Sequence, residues 1–134
     1  MIYGTRTTFL VLAVVAVGGA GCGEGVLFET DKTEYLVGEP IVLVLRNYTS
    51  RVVGYNLCNS QVECLENCEA PTPVDSSPVC PAILRNLLPL QEARYTFDDT
   101  AAWGLGTFRL FTTVEVRGHQ ERIAAEALTV SRPE

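Results

Sequence analysis

Alternation of apolar and polar residues recurs along this chain, and alternation with a period of two predicts strands. The longest run is Thr107 to Arg117 (TFRLFTTVEVR), where Phe108, Leu110, Thr112, Val114 and Val116 share one face. Ile41 to Asn47 (IVLVLRN) sets Ile41, Leu43 and Leu45 on one face and Val42 and Val44 on the other. Ala93 to Asp98 places Tyr95 and Phe97 together, and Val26 to Thr30 and Val52 to Cys58 are shorter β-forming runs. Gln120 to Ser131 reads as the last strand, through Ile123, Ala125, Ala127 and Thr129 or their neighbours. Turn residues fall between the runs. Tyr35 to Pro40 reads as a turn, Asn47 to Arg51 as a hairpin loop between the strands on either side, and Gly118-His119 as a tight turn. Asp98-Asp99-Thr100 suits the cap of a helical turn at Ala101 to Trp103 that Gly104 stops. Ile83 to Leu88 fits a helical turn as well as a strand, and Pro89 ends either. About seven short strands with turn signals between them predict an all-β fold, an antiparallel β-sandwich.

One stretch breaks the pattern. Asn59 to Pro81 is long, polar and poor in β-formers, with Pro71, Pro73, Pro78 and three cysteines. A loop of this length in a small domain is usually functional or separately stabilised. Gln61, Glu63, Glu66, Asn67, Glu69 and Asp75 are its candidate partner-binding side chains.

The N-terminus follows another logic. Residues 1–8 carry one cationic side chain, Arg6, and Phe9 to Val17 is an unbroken apolar run. Nine residues are too few for a helix to span a hydrocarbon layer of about 30 Å. A basic start, a short apolar stretch and small residues at the end form the layout of a secretory signal peptide. The small residues are Gly18 to Gly21, and Cys22 follows at once. Gly19-Ala20-Gly21-Cys22 resembles the bacterial lipobox at three of its four positions, with Gly19 where leucine is usual. The resemblance implies diacylglyceryl on the Cys22 sulfur, cleavage before Cys22 and acylation, commonly with palmitate, of the new amine. Residues 1–21 are then the lipoprotein signal peptide, 22–25 the lipidated tether and 26–134 the domain. Gly23 is not the aspartate that marks inner-membrane retention in that family. The expected location is outside the cytoplasm, periplasmic or surface-facing, on the cell membrane or the outer membrane.

The cysteine count fits this reading. Five cysteines are present, at 22, 58, 64, 68 and 80. An odd number in an exported protein needs an explanation, and lipidation of Cys22 leaves an even four. Four cysteines allow three pairings, of which Cys58–Cys80 with Cys64–Cys68, a small loop nested in a larger one, is favoured. The larger bridge is worth about 3 kcal/mol in the chain-entropy model. The spacings do not match the paired knuckles of a zinc ribbon, and the chain has no C-x-x-C redox motif. No metal and no cofactor is expected.

Charge narrows the partners. The chain carries a net −6, and removing residues 1–21 takes away Arg6 alone, leaving nine basic against sixteen acidic side chains. A polybasic footprint for nucleic acid is absent. His119, the single histidine, falls in a predicted turn with no sign of a carboxylate-oriented base. Trp103 reads as a core plug, and Asn47-Tyr48-Thr49 matches the glycosylation sequon by chance. No catalytic residues stand out, and a non-enzymatic protein is expected.

Residues 28–131 also resemble a broad family of bacterial Ig-like β-sandwiches that includes BsuPI-type proteinase inhibitors and related envelope proteins. The resemblance lies in Tyr35-x-x-Gly38-Glu39-Pro40, Leu43-x-Leu45-x-Asn47 with Thr49, Val53-x-Tyr55-x-Leu57-Cys58, and Gly106-Thr107-Phe108-Arg109-Leu110. It departs at Phe108, where the family has tyrosine, at Pro89-Leu90, where Pro-Gly is usual, and in the added Cys64–Cys68 pair. It implies an Ig-like sandwich of about seven strands. It leaves two functional expectations: a lipid-anchored binding or structural module, or a protease inhibitor acting through the 59–81 loop. The expected partners are the membrane, through the lipid, and an envelope protein or protease.

Overall fold

The computed structural model describes residues 25–70, 80, 83–98 and 100–134; the predicted signal peptide, Cys22 and Asp75 lie outside them. The fold is all-β. Its strands are β1 (Val26–Thr30), β2 (Glu34–Leu36), β3 (Ile41–Asn47), β4 (Val53–Tyr55), β5 (Gln61–Glu66), β6 (Arg85–Leu87), β7 (Glu92–Phe97), β8 (Gly106–Val116), β9 (His119–Ala124) and β10 (Leu128–Ser131). Among the described residues, two single 3-10 turns, Leu57–Asn59 and Ala101–Trp103, join them.

Two sheets form. The smaller has the order β1-β3-β7 and is antiparallel throughout. The larger has the order β2-β10-β8-β4-β6, with β5 and β9 also on β8. The eleven-residue β8 is its spine. Along one edge of β8 run β4 and then β5, interrupted by the Leu57–Asn59 turn; along the other run β9 and then β10. Between β9 and β10 the register changes from Phe111↔Ala124 to Phe108↔Leu128, one extra residue against β8. A one-residue slip reverses which side chains face the core, so the inward set passes from Ile123 and Ala125 to Leu128 and Val130. β1 and β2 are likewise one strand that changes sheets, antiparallel to β3 and then parallel to β10. The ten segments therefore lie on seven strand paths.

The crossover between sheets at residues 31–33 is fixed by a buried phenol. Tyr35 points into the core, its hydroxyl donates to the Asp31 carboxylate, and it accepts the Lys32 N–H at 2.9 Å. Asp31 also accepts the Val42 N–H, at 3.2 Å. Burial, helped by the Asp31 bond, pushes the Tyr35 phenol up to about 12.

One core lies between the sheets. Ile41, Leu43 and Leu45 of β3 and Phe28 of β1 join Phe108, Leu110 and Val114 of β8 and Val53, Leu87, Leu128 and Val130 of its neighbours. Full burial of each such side chain stabilises by about 1.5–3 kcal/mol relative to exposure. A file of rings closes one end: Tyr95 and Phe97, Phe97 and Trp103, and Trp103 and Phe108 meet with centroids 5.3, 6.0 and 5.7 Å apart. Trp103 is the expected core plug. The outer face of the small sheet carries an ion ladder, Glu29–Arg46–Glu92–Arg94, with contacts of 2.6, 2.9 and 2.5 Å. Hydrogen bonds from Arg94 and Arg46 pull the Glu92 carboxyl below its ordinary range.

Several sequence expectations change. Asn47 to Arg51 is not a hairpin loop, because β3 and β4 belong to different sheets. The 59–81 stretch is not all loop, because its first residues form β5 on β8; Val62 and Cys64 alternate inward there, a weak apolar signal among polar neighbours. The Val52–Cys58 run is a strand only over Val53–Tyr55, and a 3-10 turn follows from Leu57. Ile83 to Leu88 contains a strand, Arg85–Leu87, and no helix. The last turn is Arg117-Gly118, with φ of 55° and 79°. Positive φ at both central residues gives the hairpin twist that suits flanking strands.

Candidate functional site

Both expected disulfides are present. Cys58, in the 3-10 turn after β4, bonds Cys80 with Cα atoms 5.8 Å apart, and Cys64 bonds Cys68 at 6.1 Å. Cys64 lies on β5 with its side chain toward the core, and the chain turns back at Asn67 (φ 57°) to bring Cys68 beside β8. The resulting knuckle is seated on residues 104–106. The Glu69 N–H donates to the Leu105 carbonyl at 2.9 Å, and the Leu105 N–H donates to the Glu69 carboxylate at 2.8 Å. Arg132 reaches the same carboxylate at 2.9 Å.

Two glycines make this seat. A Cβ on Gly106 (φ 147°) would stand 2.7 Å from the Cys68 Cα, and one on Gly104 (φ 70°) would stand 2.8 Å from the Glu69 carboxylate oxygen. Both positions need the left-handed freedom of glycine and the space left by its missing side chain. Beside them Trp103 is buried, and the Thr100 hydroxyl donates to the Glu39 carbonyl at 2.8 Å rather than capping its own turn.

The six candidate binding residues separate on this frame. Gln61 and Glu63, on the outward face of β5, meet Arg122 of β9 at 3.4 and 2.6 Å. The Arg122 guanidinium in turn stacks over the Phe111 ring at 3.7 Å. Glu69 is the latch of the knuckle. Glu66 and Asn67 stand exposed at its tip. Asp75 lies outside the described residues.

The opposite end of the sandwich carries features that sequence reasoning passed over. Asn47 is fully buried, and its side chain organises the arch between the sheets. Its amide donates to the carbonyls of Arg51 at 2.7 Å and Leu87 at 2.8 Å, and its carbonyl accepts the Thr49 N–H and hydroxyl at 2.9 and 2.6 Å. The sequon at Asn47 is therefore a structural knot, with its amide occupied. Next to it an open cleft of about 540 Å³ is lined by Gly25, Tyr48, Arg51, Arg117, His119 and Glu121, among others. His119 is exposed at the start of β9.

Among the described residues, no group of three or more histidine, cysteine or acidic side chains is placed to hold a metal ion. Among the same residues, no helix is long and apolar enough to cross a membrane. No protein-family model matches the chain, and no curated protein matches it.

Proposed function

We propose that the protein is a lipid-anchored module of a bacterial cell envelope. In this reading residues 1–21 direct export, cleavage precedes Cys22, and lipid on Cys22 holds the sandwich at a membrane surface. The domain then acts by binding or as a structural part, and not as an enzyme. The observation that carries the reading is the state of the cysteines. Four are consumed in two disulfides within the domain, and Cys22 is the fifth cysteine of the chain. Disulfides persist in oxidising compartments outside the cytosol, and a small domain gains most from such staples. Two or more acyl chains hold a protein stably on a bilayer.

Partner contact in this reading belongs to the knuckle tip, where Glu66 and Asn67 are free of the pairings that engage Gln61, Glu63 and Glu69. Deleting the whole of residues 61–75 would remove β5 from β8, so point changes at the tip are the cleaner probe.

Detergent phase partitioning of the full chain and of Cys22→Ser tests the anchor. The native chain enters the detergent phase and Cys22→Ser moves to the aqueous phase with its disulfides intact. A Cys22→Ser chain that stays with the detergent contradicts the proposal.

A further inference from the structure

The connections at the two ends of the sandwich differ in charge, and Gly25, the residue before β1, stands at one of these ends. Strand register places Val26, Asn47 and Glu92 at one end of the small sheet. Val53, Leu87 and Val116 stand at one end of the large sheet. Asn47 ties these two ends together through Arg51 and Leu87, and the Tyr48 N–H donates to the Gly25 carbonyl at 2.5 Å. Three connections cap this end, residues 48–52, 88–91 and 117–118. They contain Arg51 and Arg117 and no acidic residue. The connections at the far end, 31–33, 37–40, 67–70 and 98–105, contain Asp31, Glu39, Glu69 and Asp98 against Lys32 alone among their described residues.

The tether end is also apolar at its tips. Tyr48 is 58% exposed, Val52 and Leu88 are each 47% exposed, and Leu90 is 81% exposed. Leu90 sits at φ 67°, in the left-handed region where a leucine is strained and a glycine is not. A bulky apolar side chain held in solvent on a strained backbone is disfavoured twice over in a domain surrounded by water. Strain kept at a surface tip points to a use there.

We infer that this end is a docking face for an anionic lipid surface. The inference rests on the lipid-anchor reading of Cys22. Two residues, Gly23 and Glu24, separate Cys22 from Gly25, three Cα steps with a reach of about 11 Å at most, so an anchored Cys22 holds this end at the headgroups. Tyr48 and Leu90 enter the interfacial zone, where amphipathic and apolar side chains are at home. Arg51 and Arg117 meet lipid phosphates, with His119 beside them and Glu121 the acidic residue of the same cleft. The net negative charge of the chain allows this in one orientation, with the acidic end turned away from the membrane.

Hydroxyl-radical footprinting of the lipidated chain, taken from membranes into vesicles, tests the inference. The vesicles are phosphatidylcholine with or without phosphatidylglycerol. Oxidation of Tyr48 and Leu90 falls several-fold when phosphatidylglycerol is present. Oxidation of Leu65 and Ile83, apolar and exposed elsewhere, does not change. The R51E/R117E double variant loses the protection, each arginine being worth about fivefold in partitioning to an anionic surface. Leu90→Gly relieves the backbone, keeps the fold and lowers the protection of Tyr48. Equal oxidation of Tyr48 and Leu90 on the two vesicles, or an equal fall at all four residues, overturns the docking face. An N-terminal peptide without lipid on Cys22 overturns the anchor itself, and the docking face with it.

Discussion

The Asn47 amide donates to the Leu87 carbonyl across 2.8 Å and so joins the last residue of the central strand of one sheet to the edge strand of the other. The Asn47 main chain is engaged as well, its N–H donating to Gln91 and its carbonyl accepting from Leu90. A buried polar residue is tolerated when every group is paired, and here the pairing also sets how the two sheets meet.

Replacing Asn47 with alanine removes the side-chain partners of the Leu87 carbonyl and the Thr49 N–H and leaves the Arg51 carbonyl with the Thr49 hydroxyl alone. Unfolding free energy should fall by about 2–4 kcal/mol. Asn47→Asp keeps the shape but loses the donor, and should do no better. Denaturant titration of the two variants measures both losses, and a change under about 1 kcal/mol for alanine would contradict the role given to this side chain.

Tyr35 predicts a pH limit on the alkaline side. Its folded-state value is raised, from 10.0 to about 12. The neutral phenol is therefore favoured by folding, and its contribution is whole below pH 10 and lost as the pH rises through about 12. The loss amounts to at most about 2–3 kcal/mol. Spectrophotometric titration should show one tyrosine ionising only near pH 12, a step missing in Tyr35→Phe. Ionisation of Tyr35 near pH 10 would contradict its burial against Asp31.

Gly106 predicts that the knuckle has no slack. An alanine there meets the Cys68 backbone at 2.7 Å and holds a φ of 147°. Gly106→Ala should destabilise by about 2–4 kcal/mol, more than an ordinary surface change. Thermal unfolding of this variant beside Gly118→Ala separates strain from crowding, because nothing lies within 4 Å of a Cβ on Gly118 although its φ is 79°.

Thr112 predicts a gain. It faces the core from β8, 3% exposed, and its hydroxyl has no hydrogen-bond partner. Thr112→Val keeps the shape and removes the unpaired group, so stability should rise by about 1 kcal/mol. An unchanged or lower denaturation midpoint would show that the hydroxyl is satisfied.

Much of the fold was legible because burial on one face leaves a period of two in the sequence. β3 falls where the alternation puts it, β1 where the run of β-forming residues puts it, and β8 is shifted by a single residue at each end. β5 was missed because its inward residues are Val62 and Cys64, half-buried among glutamates, so a strand reads as a polar loop. The breaks at Leu57–Asn59 and after Ala124 leave no periodic trace, since one is a 3-10 turn and the other a one-residue slip. Of the three pairings that four cysteines allow, the favoured one, Cys58–Cys80 with Cys64–Cys68, is the one present. The candidate site was less so. Gln61 and Glu63 are engaged by Arg122, about sixty residues away, and Glu69 by Leu105 and Arg132; such pairings depend on register and are invisible in a linear pattern. Asn47 looked like a sequon because its three-residue pattern is shared by a buried Asx-type turn.

A disulfide-closed sandwich held to a membrane through Cys22 is what we propose, and the intact mass of the chain purified from membranes is its sharpest test. The expected chain begins at Cys22, is heavier by a diacylglyceryl group and an amide-linked acyl chain, and is lighter by the four hydrogens of two disulfides. A chain that retains residues 1–21, or one that carries an unmodified Cys22, would contradict it.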